Sequence, residues 1–334
     1  MWSSVQSIIF TKQEILGDDL KELEAELVLS VATPDPLLSE VAGHLISAGG
    51  KRIRPILAIT SARAGGAEVD RRVVQGAVAV ELVHLASLYH DDVMDEATER
   101  RGVPSVNARW GNLVAVVSGD FLLARAAGIA ARLGSDIAEL LADTLAEMCE
   151  GQIIEVKSGF DTDRTEAQYL QAISGKTASL LATSARIGAM AGGVEQAKVE
   201  MLTDIGRNFG MLFQLRDDIL DVAASQADLG KLPGQDLIEG VYNLPVIYAL
   251  AGSEPAGELR SLLADRITPS TLPTATELII RSGALSACFD VAAFYQRRIE
   301  ELAAELTDPY SSYIADLGRQ LLGSLDDLVA RTVA

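Results

Sequence analysis

From Val73 to His90 apolar residues occupy nearly every face that a helix would present, with Glu81 and His84 as interruptions. A helix apolar all round is one buried on all sides, so this stretch predicts a central core helix. Much of the remaining chain reads as helix too. The first fifty residues predict two helices parted by the breaker VATPDP at 31–36. Asp35 is placed to cap the second, Pro36 fits its first turn, and Gly49 and Gly50 follow its end. Further helices are predicted over about 112–133, 137–158 and 194–224. A long helix over 165–193 is interrupted at Ser174–Thr177, where Gly175 costs about 1 kcal/mol relative to Ala and invites a kink. Residues 228–243, rich in Gly, Pro and polar side chains, predict a mobile loop carrying Lys231. The chain closes with helices: Thr274 and Glu277 have the spacing of a capping box, and Asp308-Pro309 is placed to start the last one.

Hydrophobic residues make up 49% and aromatics only 5%, with Ala and Leu prominent, which favours helices over sheet. The 334 residues would suit two or three average domains, but no linker or low-complexity tract divides them. An all-α helical bundle forming one large domain over 1–334 is expected. The net charge of −19 argues against a nucleic-acid or anionic-membrane partner, and an anionic substrate would need metal ions or a few placed bases. Cys149 and Cys288 carry no ligand or redox spacing and suit a reducing cytoplasm. The N-terminus lacks the regions of a signal peptide. No run of about 18 apolar residues is free of charge, so no transmembrane helix is expected. Neither a Walker pattern nor a GxGxxG after a strand occurs.

The chemistry lies in two acidic triplets. Asp91, Asp92 and Asp95 stand at i, i+1 and i+4, at the end of the apolar stretch. Asp91 and Asp95 then share a helix face, Asp92 lies on its shoulder, and His84 falls on the same stripe two turns earlier. Taken alone, this could be a solvated helix end and a core histidine. Asp217, Asp218 and Asp221 repeat the spacing, again leaving an apolar segment, with Gln214 one turn before. Two such faces turned toward each other bring six carboxylates onto one space. Oxygen-only donors favour a hard cation, and a site with room for phosphate oxygens favours Mg²⁺. The simplest anionic ligand is a diphosphate. Lys51 and Arg54 project together at a predicted helix start, a phosphate site or a basic helix start balancing nearby acids. Arg100 and Arg101 offer adjacent guanidinium groups suited to diphosphate oxygens. Lys176 and Thr177 lie at the expected kink.

In this order, GGKRIRP at 49–55, DDVMDEATERRG at 91–102, GKT at 175–177, FQLRDDILD at 213–221 and GKLPGQDLIEG at 230–240 resemble the trans-isoprenyl diphosphate synthases, or polyprenyl synthetases. The resemblance covers about residues 35–250 and implies the isoprenoid synthase bundle with a central active-site cavity. It implies that Asp91, Asp95 and Asp217, supported by Asp92, Asp218 and Asp221, hold several Mg²⁺ ions on the diphosphate of an allylic substrate, farnesyl or geranylgeranyl diphosphate. Arg100, Lys176, Gln214 and Lys231, with Thr177 nearby, would grip that diphosphate. Lys51, Arg54, His84 and Arg101 would hold isopentenyl diphosphate. A homodimer is implied as well. The chain departs from many relatives at Val241, where a lysine often stands.

The growing chain needs an apolar shaft below Asp91. Ser87 lies one turn down, Val83 two and Val80 three, with Ala86 adjoining and Ala126, Ala127, Gly128 and Ala130 facing them. Relatives with short products close this shaft with aromatic residues. Small residues here imply a product longer than geranylgeranyl, unless they serve only close helix packing. The alternatives are a geranylgeranyl diphosphate synthase, a class I terpene cyclase, which needs no second diphosphate site, and a non-catalytic subunit, in which the aspartates are commonly lost.

Overall fold

The structure is a computed structural model that describes residues 2–224, 233–252 and 255–333, with side chains described between Leu16 and Leu325. It is all-α apart from a two-residue hairpin, Glu99–Arg100 paired with Val103–Pro104. The helices are α1 (Trp2–Val31), α2 (Pro36–Ser47), α3 (Ile53–Ala64), α4 (Arg71–Met94), α5 (Val106–Trp110), α6 (Asn112–Leu133), α7 (Ser135–Lys157), α8 (Glu166–Ile173), α9 (Ser179–Ala191) and α10 (Gln196–Ala223). After the gap come α11 (Gln235–Glu239), α12 (Leu244–Ala251), α13 (Ala256–Leu263), α14 (Leu272–Arg281), α15 (Ala284–Ala303) and α16 (Tyr310–Val333).

The helix predicted to be central is central. α4 starts where Asp70 accepts from the backbone N–H groups of Arg72 and Val73, which satisfies donors that a helix start leaves open. It packs against α1, α3, α6 and α9, while α10 packs against α9, α15 and α16. One apolar core runs from Leu16 to Leu325. Asp35 caps α2 by accepting from Leu38 N at 2.9 Å, with Pro36 in the first turn. The expected kink is a π-helical turn, Ser174–Ala178, between α8 and α9.

Three expectations change. Thr274 and Glu277 form no capping box, because α14 already begins at Leu272 with Pro273 in its first turn. Ala126 and Ala130 are fully buried on a helix packed against α4, so they serve close packing rather than a tunnel wall. Two helices, Arg71–Met94 and Asn112–Leu133, are long and apolar enough to cross a membrane by length and composition. The bent pair Leu272–Arg281 and Ala284–Ala303 adds a third if it counts as one span. Glu81 and Arg125 interrupt the first two, so neither is a charge-free run in the sequence. In the fold the most apolar stretch of α4 is 72% buried within the protein and that of α6 39%.

Helices α3 and α9 meet at Gly188, where a Cβ would lie 1.9 Å from the Ala58 carbonyl oxygen. Backbone cannot yield as a side-chain tip can. Gly188→Ala should therefore cost about 1–3 kcal/mol or more in urea unfolding. Gly43→Ala, inside α2 with nothing near its Cβ, should stabilise by about 0.5–1 kcal/mol.

Candidate active site

The ends of α4 and α10 bring both acidic triplets to one region, joined through the π turn. Lys176 acts electrostatically on Asp91 and Asp95. Next to it, the Thr177 hydroxyl donates to Gln214 Oε1 at 2.9 Å, and Gln214 Nε2 donates to Asp218 Oδ1 at 2.8 Å. Asp91, Lys176, Thr177 and Gln214 line a single cavity of about 520 Å³.

Of the six acids only Asp91 is among the residues that line it, which corrects the expectation that all six converge on one space. Asp95 is exposed, Asp91 partly so, and Asp217 keeps 44% of its side chain accessible. Asp92, Asp218 and Asp221 are buried. Adjacent helix residues diverge by about 100°, so the second acid of each triplet turns into the wall. There Asp92 accepts from Arg100 Nε at 2.7 Å and Nη2 at 2.6 Å. Arg100, expected on a diphosphate, is thus held by an acid expected on a metal. Asp221 shares the face of Asp217, but the segment returning at Gly234 and Asp236 covers it, with Asp236 N donating to Asp221 Oδ2 at 3.3 Å. Burial raises the carboxyl pKa of Asp91, Asp92 and Asp95 above the ordinary range. Arg216, beside the second triplet, turns inward. It is buried, donating to Asp217 Oδ1 at 3.0 Å and to Ser324 Oγ at 2.8 Å.

Around Lys176 two neighbours escape the sequence reading. Glu155, on α7, accepts from the Lys176 ammonium. Burial alone would lower the lysine pKa, but Glu155 together with Asp91 and Asp95 outweighs it and the net shift is upward. Gly151, one turn earlier, lets α7 touch the π turn: a Cβ there would lie 2.3 Å from Lys176 N, and one on Gly175 would lie 2.7 Å from Glu147 O. The wider π turn and the two glycines together aim Lys176 and Thr177 into the cavity. Neither signal stands out in sequence, because the contact joins residues about twenty-five apart.

A second pocket of about 460 Å³ is lined by Lys51, Arg54, Arg100 and Arg101, and it shares Arg54, His84, Leu88 and Phe213 with the first. Burial pushes the Arg54 pKa down to about 10, so it remains charged near neutrality. Burial and then Arg54 and Arg101 hold His84 well below the usual histidine range, hence neutral. Gly50 gives the Arg101 guanidinium room, since a Cβ there would lie 2.9 Å from Cζ. Arg101 then donates to Leu45 O at 3.0 Å and to Gly49 O. Arg52, also unanticipated, adopts φ 52° and turns inward to pair with Glu24 at 2.7 Å and with the buried Glu81 at 3.0 Å. It ties α1 and α4 to the start of α3 and leaves Lys51 and Arg54 at the pocket.

Below Asp91 the first cavity is mainly apolar, with Ser87 and Val83 on one side and Leu123, Leu145 and Met148 on the other. Ala86 is buried in the core and is not on this wall. Five residues before Asp91, it points about 140° away around the helix. Tyr89 also turns away, its hydroxyl donating to Val41 O at 2.6 Å. Val241 is half-buried, donating through its N–H to Asp236 O at 2.8 Å. Lys231 lies outside the described residues.

Among the described residues, no group of three or more His, Cys, Asp or Glu side chains is arranged to hold a metal ion alone. The accessible acids Asp91, Asp95 and Asp217 still suit a hard divalent cation that completes its shell with ligand oxygens. The chain matches the polyprenyl synthetase family over residues 35–278. It is 40% identical over 276 residues to the nonaprenyl diphosphate synthase of Mycobacterium tuberculosis, covering 82% of each chain. Its fold is similar to that of a decaprenyl diphosphate synthase from Rhodobacter capsulatus, with a TM-score of 0.87, 32% identity, and 93% and 98% of the two chains covered. It is similar also to a polyprenyl synthase from Caulobacter crescentus complexed with calcium and isoprenyl diphosphate, with a TM-score of 0.87, 33% identity, and coverage of 95% and 97%.

Gly151→Ala should push Lys176 and Thr177 out of place. The loss of one charge-assisted contact, about 1.5–3 kcal/mol, should weaken pyrophosphate binding in Mg²⁺ roughly tenfold or more, read by calorimetric titration.

Proposed function

The chain belongs to the polyprenyl synthetase family, and we propose that it is a prenyltransferase condensing isopentenyl diphosphate head-to-tail with an allylic diphosphate, farnesyl or geranylgeranyl diphosphate. The observation that carries this reading is the pair of pockets with a common wall. One is lined by Asp91, Lys176, Thr177 and Gln214, which suit an allylic diphosphate with its cations, the other by a cluster of bases for a second diphosphate, and Arg54, His84, Leu88 and Phe213 belong to both. Two diphosphates held side by side place their hydrocarbon ends within reach of each other.

Asp91, Asp95 and Asp217 would hold the cation, which we take to be Mg²⁺. When bound, it neutralises the negative charge that builds on the departing diphosphate. Lys176, with Gln214 and Lys231, adds positive charge and hydrogen bonds to the same oxygens. Lys51, Arg54, Arg101 and neutral His84 hold isopentenyl diphosphate. The allylic carbon–oxygen bond breaks to leave a resonance-stabilised cation, the isopentenyl double bond attacks that cation, and the proton lost afterwards passes to the released diphosphate. The apolar wall keeps water from the cationic centre.

The shaft lined by Ser87, Val83, Leu123, Leu145 and Met148 supports a product longer than geranylgeranyl. The apolar core shared from α1 to α16 supports one catalytic domain. Exposed Leu113, Val116 and Val117 on α6, with Ile153 and Val156 on the adjoining α7, support a homodimer through that face. Two unpaired cysteines suit a cytoplasmic enzyme.

Purified protein given Mg²⁺, labelled isopentenyl diphosphate and farnesyl diphosphate should release linear polyprenyl diphosphates longer than twenty carbons, seen by mass spectrometry of extracted lipid. EDTA should abolish the product, and cyclic hydrocarbon or no incorporation would refute the reading. Ser87→Phe should shorten the product while Ala86→Phe leaves the tunnel itself unblocked. Equal product lengths from wild type and Ser87→Phe would remove this wall as the determinant.

A further inference from the structure

Tyr169 on α8 is 1% exposed, and its hydroxyl donates to Asp218 Oδ2. The other carboxylate oxygen accepts from Gln214 Nε2, whose amide oxygen accepts from the Thr177 hydroxyl. One file of hydrogen bonds thus runs from the buried wall across α10 to the π turn, and Gln214 and Thr177 at its far end line the cavity. Arg164, also buried, pins the phenol ring, with Cζ 5.6 Å from its centroid and Nη1 donating to Tyr242 O at 2.9 Å.

Gln214 turns its NH₂ toward Asp218 and its oxygen toward Thr177, the direction that an ionised carboxylate, which only accepts, requires. A second NH₂ hydrogen remains for a ligand. The two triplets also differ in how their second acid is held. Asp92 meets the guanidinium of Arg100, a full opposite charge. Asp218 meets a phenol and an amide, neutral donors that fix a carboxylate without cancelling its charge.

We propose that Tyr169 is a positioning residue for prenyl transfer: its hydroxyl orients Asp218, and through it Gln214, so that the second acidic face is held in register with the cation and the allylic diphosphate. This rests on the function proposed above. The position of Tyr169, five residues before the π turn and forty-nine before Asp218, carries no motif that would mark it.

Tyr169→Phe removes one oxygen and keeps the ring. The Mg²⁺ concentration for half-maximal rate should rise about tenfold, as for loss of an outer partner of a metal ligand. Without turnover, the Mg²⁺ needed for half of the thermal stabilisation by inorganic pyrophosphate should rise in parallel. KM for isopentenyl diphosphate should not change, since Lys51 and Arg54 keep their contacts. Wild-type Mg²⁺ dependence in both titrations would overturn the proposal, as would an equal loss at both substrates. Should Tyr169→Phe alone not fold, Tyr169→Phe/Asp218→Asn removes the buried charge it leaves behind. Its Mg²⁺ requirement should then equal that of Asp218→Asn, and a further rise would show that the hydroxyl does not act through Asp218. Should wild type make no prenyl product, the proposed function fails, while the pyrophosphate titration still decides the role of Tyr169.

Discussion

Charges of like sign crowd both sides of the cavity, and several of the crowded groups are anchored by a partner from another part of the chain. Asp92 is held by Arg100 from the hairpin, Asp218 by Tyr169 from α8, and Lys176 by Glu155 from α7. On the basic side, buried Glu81 of α4 faces Arg52 and acts on Arg54 and Arg101. Buried charges with no partner would be strongly unfavourable. The site and the helix packing are for this reason one problem: the contacts that hold the bundle together around the cavity are the contacts that orient its ligands.

The same partnering decides which groups remain available. In each triplet the second acid is committed to the wall, leaving Asp91, Asp95 and Asp217 accessible. Three accessible acids on two helices are too dispersed to sequester an ion by themselves. A cation held there must be shared with an anionic ligand, which couples metal and diphosphate binding. That coupling suits a site that must take up and release pyrophosphate at each elongation step.

Backbone proximity is the second condition. Gly151 and Gly175 allow α7 to touch the π turn, and Gly188 allows α9 to touch α3. These contacts set the spacing between the wall that carries Asp91 and the wall that carries Gln214. A π turn in place of a regular one lets two consecutive side chains, Lys176 and Thr177, reach the same cavity.

The sequence by itself determined the central helix, the bounds of α6, the cap at Asp35, the interruption at 174–177 and the residues of both acidic faces. These follow from local periodicity, capping and spacing, which act over a few residues and are written contiguously. It did not determine that Asp92 and Arg100 take each other, that Arg216 lies buried on Asp217, or that Tyr169, Glu155, Arg52 and Gly151 touch the residues around the cavity. Each of those depends on which helix lies opposite. Long-range packing decides that, and a residue's own neighbours in sequence carry no record of it.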